Sequence, residues 1–122
     1  MKKLKFNKES LFKLYGGSEK EIYFVLCKFS KDIQDIKENL ISAFRQADPQ
    51  SLLLSLHANY PGFAYAGFPD ISAQIKELFE RCKSINRIEE IHSDFGELLI
   101  NIDQCKEICE LEIEHFSKLQ VM

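Results

Sequence analysis

Between Ile22 and Phe44 the apolar residues fall at Ile22, Val25, Leu26, Phe29, Ile33, Ile36, Leu40, Ile41 and Phe44. Steps of three and four dominate that series, which is the period of one face of an α-helix. Ser18 precedes the series and Glu21 lies three residues on, the pattern of a capping box. The spacing therefore predicts a helix that opens at the Ser18 cap and runs to about Ala47, near 28 residues and ~42 Å long. A helix of that length with one apolar stripe must bury the stripe against other helices. A bundle is the architecture that does this.

The rest of the chain supplies the partners. Asn7 is a good N-cap for a short first helix carrying Leu11, Leu14 and Tyr15, with Phe6 and Leu11 placed as a hydrophobic staple. Gly16-Gly17 should stop it. Asp48-Pro49 opens a third segment, an N-cap followed by proline at the first helical position. That segment holds Leu52, Leu53, Leu56, Phe63 and Ala66, with Pro61 inside it as an expected kink, and ends at Gly67-Phe68-Pro69. A fourth begins near Asp70 and carries Ile71, Ile75, Leu78, Phe79 and Cys82. A fifth follows Asn86, with Ile88, Ile91, Phe95, Leu98, Ile102, Cys105, Cys109, Ile113 and Phe116 on one face. The expected fold is all-α: an antiparallel four-helix bundle with a short N-terminal capping helix, one domain over residues 1–122.

Composition narrows the function. Three prolines and five glycines in 122 residues argue against a turn-rich β-sandwich or barrel. A formal net charge of −3 weighs against nucleic acid as a partner. Apolar runs such as Leu52-Leu53-Leu54 are too short to span a bilayer, and no apolar stretch follows Met1-Lys2-Lys3 to make a secretory signal. The expected location is the cytoplasm. Cys105 and Cys109 would share a helix face and could hold half a zinc site, but no Cys-x-x-Cys accompanies them. They read as reduced, buried apolar fillers, so no metal is assigned.

Of three histidines, His92 and His115 lie among acidic residues and read as solvated surface groups. His57 differs. The buried stripe of its helix should run through Leu52, Leu56, Asn59, Phe63 and Ala66, and His57 lies about 100° round from Leu56. Its neighbours on the outer face are Leu53, Leu54, Tyr60, Pro61 and Ala64, an apolar cluster of the kind that marks a docking surface. Ala64 and Gly67 are small and would let a partner's backbone approach.

The stretch Leu56-His57-Ala58-Asn59-Tyr60-Pro61-Gly62-Phe63-Ala64-Tyr65-Ala66-Gly67-Phe68, preceded by an Asp-capped helix start and a long acidic-capped helix, resembles the histidine-containing phosphotransfer (HPt) domain family. The resemblance spans residues 5 to 117. The family pattern is a His, a Lys three residues on, a small residue at the fourth position and a Gly at the tenth. Here the His is His57 and the distant glycine is Gly67, while Pro61-Gly62-Phe63 is similar to a Pro-small-Phe variant of the family. Two positions depart from the pattern. Tyr60 stands in place of the lysine, offering a hydroxyl but no charge, and Asn59 replaces an apolar residue.

The resemblance implies a phosphorelay. His57 would accept a phosphoryl group from the phospho-aspartate of one receiver domain and pass it to another. Tyr60, Pro61, Gly62 and Ala64 would surround the phosphoryl group, and Leu53, Leu54, Tyr60, Ala64 and Gly67 would form the docking patch. The implied partners are response-regulator receiver domains and a hybrid sensor kinase, with neither nucleic acid nor membrane. No cofactor is implied for this chain, because Mg²⁺ belongs to the receiver. The chain would be a phosphocarrier and not an enzyme. The alternative is a degenerate HPt-like adaptor that binds a receiver or kinase without transfer.

Overall fold

The computed structural model describes the backbone of residues 4–121 and the side chains of residues 4–119. Five α-helices follow in order: α1 (Lys8–Leu14), α2 (Glu19–Arg45), α3 (Pro49–Tyr65), α4 (Pro69–Cys82) and α5 (His92–Val121). A short 3₁₀ turn, Ile88–Ile91, precedes α5. Among the described residues there is no strand. The helices α2 to α5 form the four-helix bundle expected from the apolar stripes.

Contacts along the helices fix their antiparallel order. Between α2 and α5, the Cys109 thiol lies 3.4 Å from the Leu26 carbonyl at one end, and Lys37 pairs with Asp103 at 2.7 Å nearer the other. Between α3 and α4, Ser72 Oγ meets the Tyr60 carbonyl at 2.9 Å and Cys82 Sγ meets the Pro49 carbonyl at 3.5 Å. Gln74 bonds Asn101, and Arg81 pairs with Asp94, which sets α4 against α5. The core runs the length of the bundle. At one end Phe29 meets Phe63 edge to face at 5.1 Å, and nearer the other Phe44 stacks on Phe95 at 4.4 Å. Such pairs contribute about 0.5–1.5 kcal/mol each beyond the area they bury.

Local signals act as read, with differences at the helix ends. Asn7 caps α1 through Ser10 N–H, and Gly16 and Gly17 end it with φ of +63° and +78°. Ser18 accepts from Glu21 N–H, but the reciprocal bond of a capping box is not made. The helix α2 stops at Arg45, short of the expected residue 47, because Ala47 takes φ +56° and leaves the helical region. Asp48 caps α3 through Gln50 N–H, and Pro49 takes its first position. The helix continues through Pro61 to Tyr65. Past Asn86 the chain forms the 3₁₀ turn before α5, where a regular helix start was expected. There the Glu90 carboxylate accepts from Asn86 and Arg87 N–H at 2.9 and 2.8 Å. Those two bonds, to Arg87 first, hold its pKa below the usual carboxylate value.

The end of α3 positions the site. Phe68 N–H bonds the Phe63 carbonyl and Gly67 N–H bonds the Ala64 carbonyl, which together make a Schellman motif. Gly67 has φ +93°, as that motif requires. Its carbonyl accepts from Asn7 N–H at 2.8 Å, so α1 is tied across this end of the bundle. Phe12 against Phe116 and Lys8 with Glu112 complete the cap.

Candidate functional site

The helix α3 buries Leu52, Leu56 and Phe63, with Ala66 buried just past its end, and turns His57 out to solvent. The imidazole is exposed near the middle of the helix. Its ring leans towards α4, with its centroid 5.7 Å from the Phe79 ring and 6.0 Å from the Tyr60 ring. Pro61, four residues on, has no N–H to give the His57 carbonyl. The backbone beneath the imidazole is steadied on the α4 side by Ser72, whose hydroxyl donates to the Tyr60 carbonyl.

The residues named from the sequence divide into two sets. Leu53 and Tyr60 are half-buried, Pro61 is partly exposed, and Leu54 and Ala64 are exposed on the outer side of α3. By helical rotation Leu53, Tyr60, Pro61 and Ala64 lie within about 60° of His57. Gly62 and Gly67 do not belong with them. Gly62 faces inward, where an added Cβ would sit 3.7 Å from the Phe29 ring, so it is removed from the phosphoryl environment. Gly67 is buried, and a Cβ there would lie 2.8 Å from Phe6 and 3.1 Å from Leu11. Its small size serves helix termination and the packing of α1, so it is removed from the docking patch. Asn59 is partly buried and satisfies itself by donating from Nδ2 to the Ser55 carbonyl at 2.7 Å.

Sequence reasoning missed the contribution of α4. Phe79 was assigned to the core stripe of that helix, but it is half-buried and forms one wall beside His57. The Lys83 ammonium lies 4.5 Å over the same ring. The signal available was the spacing Ser72, Lys76, Phe79, Lys83, a polar stripe interrupted by one phenylalanine.

Two surface grooves lie elsewhere. One, of about 440 Å³, runs between α4 and α5 past Gln74, Arg81, Asp94 and Glu97, and another, of about 370 Å³, lies between α2 and α3 past Asn39, Gln46, Ser51 and Asn59. Neither is lined by His57. An exposed imidazole on a convex helix face is open to a second molecule, and any chemistry at it would need that molecule to bring the other reactant.

The cysteines occupy the opposite role. Cys105 and Cys109 are buried on α5, and burial pushes both thiols up, Cys109 to about 12. Among the described residues no group of three or more His, Cys, Asp or Glu side chains is placed to hold a metal ion.

The bundle has a counterpart among solved structures. It superposes with a TM-score of 0.78 on the crystal structure of the HPt domain of a sensor hybrid histidine kinase from Shewanella. The match covers 90% of this chain and 94% of that one at 15% sequence identity. The fold is therefore the HPt-like helical bundle. No family model and no curated protein sequence matches the chain.

Proposed function

We propose that this protein is a histidine phosphocarrier of a multistep phosphorelay, with His57 as the acceptor. The observation that carries the reading is the exposed imidazole at mid-helix on the outer face of an HPt-like bundle. A ring nitrogen of His57 attacks the phosphorus of a receiver's aspartyl phosphate. The N–P bond forms as the P–O bond to the carboxylate breaks, and the carboxylate leaves with the electron pair. The ring's N–H proton passes to solvent. The reverse reaction loads the next receiver. Imidazole suits both directions because it is a nucleophile near neutral pH and a good leaving group once protonated.

On this reading the chain acts in the cytoplasm on receiver domains and a hybrid sensor kinase, and it is no enzyme by itself. The receiver's acidic pocket, with its Mg²⁺, supplies the charge that stabilises the moving phosphoryl group. This chain supplies the nucleophile, holds it at a fixed height above α3, and offers Leu53, Leu54, Tyr60 and Ala64 as the apolar contact around it. No described helix is long and apolar enough to cross a membrane.

One feature favours a second reading, a non-transferring adaptor: Tyr60 gives no positive charge beside the acceptor. Incubation with a ³²P-labelled receiver separates the two. The carrier takes up acid-labile, base-stable label that is lost in His57→Gln, whereas the adaptor binds the receiver and stays unlabelled.

A further inference from the structure

A phosphoryl group on His57 would carry close to two negative charges. The helix that bears it has none to offset them: residues 49–65 contain no Lys, Arg, Asp or Glu. Any cation supplied by this chain must come from the helix packed on the same side. That helix is α4, which touches the site at two places, through Phe79 against the His57 ring and through Ser72 against the Tyr60 carbonyl. Ser72, Lys76, Phe79 and Lys83 are spaced four, three and four residues apart and so share one stripe. Lys76 therefore stands between two residues already in contact with α3, one turn from each.

Lys83 is placed by direct geometry. Its ammonium is 4.5 Å from the Phe79 centroid, and that ring is 5.7 Å from the imidazole, so the cation lies at most about 10 Å from His57. A phosphoryl group adds reach from the histidine, and an exposed lysine stem adds reach from the other side. Glu80 pairs with Lys83 at 3.3 Å and draws off part of its charge. Lys76 is exposed and joins no ion pair among the described residues. Glu77, next to it, borders the groove between α4 and α5, on the other side of the helix.

We propose that Lys76 and Lys83 of α4 are the phosphoryl-binding cations of His57, replacing a lysine on α3 whose position Tyr60 occupies. The inference rests on His57 being the acceptor and names the groups that hold its phosphoryl anion. Phe79, against the imidazole, then stands between the two lysines along α4, one turn from each.

The test uses potassium phosphoramidate, a small donor that needs no receiver. The P–N bond of the donor breaks, ammonia leaves with the electron pair and takes the proton released by the ring, and the N–P bond forms at His57. Label is mapped by mass spectrometry, with the exposed His115 as internal reference. In low salt, Lys76→Gln with Lys83→Gln should slow labelling of His57 relative to His115 about 3–10-fold, the range open to two exposed charge contacts. Arginine at both positions should retain the wild-type rate, Tyr60→Lys should restore it in the double variant, and about 0.5 M salt should shrink the difference. An unchanged ratio in the double variant, or no labelling of wild-type His57, overturns the proposal. A receiver that delivers no label while phosphoramidate labelling stays lysine-dependent instead refutes the relay reading and leaves the role of the lysines standing.

Discussion

The imidazole of His57 leans on the ring of Phe79, 5.7 Å away and tilted by 35°. One side of the histidine is thereby walled by α4, while the side towards Pro61 and Ala64 stays open. On the proposed reading a receiver approaches over this open side, where Ala64 is exposed.

Replacing Ala64 with arginine should therefore block transfer from a receiver by filling that approach. Ala64 is exposed, so stability should change by less than about 0.5 kcal/mol. Urea unfolding beside a transfer assay checks both halves. Normal transfer in the variant would mean that the partner docks elsewhere.

Gly67→Ala should destabilise the protein by about 1–3 kcal/mol, since φ is +93° and the new methyl would press on Phe6. The loss should appear in thermal unfolding and should leave phosphoramidate labelling of the remaining folded protein unchanged. A loss of transfer from a receiver without a loss of stability would return Gly67 to the docking surface.

Phe29 and Phe95 each sit in an aromatic pair inside the bundle. Truncating either to alanine should cost about 3–5 kcal/mol. Phe79, half-buried, should cost less. Equal losses at all three in denaturant titrations would contradict the burial described.

The thiols of Cys105 and Cys109 give a pH signature. Burial raises both above the ordinary thiol value of 9.0, Cys109 to about 12. The unfolded chain thus loses these protons first as pH rises. Their contribution to stability is intact below about pH 9 and falls between about 9 and 12, by up to about 1.4 kcal/mol per pH unit for each thiol. Urea unfolding at pH 8, 9 and 10 should show the decline, and Cys109→Ala should lessen it. Below pH 9 iodoacetamide should reach the half-buried Cys27 before either of them.

Much of this molecule is local in origin. The stripe from Ile22 to Phe44, the caps at Asn7, Ser18 and Asp48, and the stops at Gly16-Gly17 and Gly67 each act within one helix turn, and each could be read directly. The same periodicity placed His57 off the buried stripe, because rotation about a helix depends on spacing alone. The tertiary structure decided what spacing cannot reach. Gly67 looked like room for a partner but proved to be room for Phe6, which arrives from elsewhere in the chain. Phe79 fitted the core stripe of α4 and became a wall of the site only because α4 packs beside α3 in this register. The neighbours of His57 across that interface follow from the packing of two helices, and no periodicity within either one contains it.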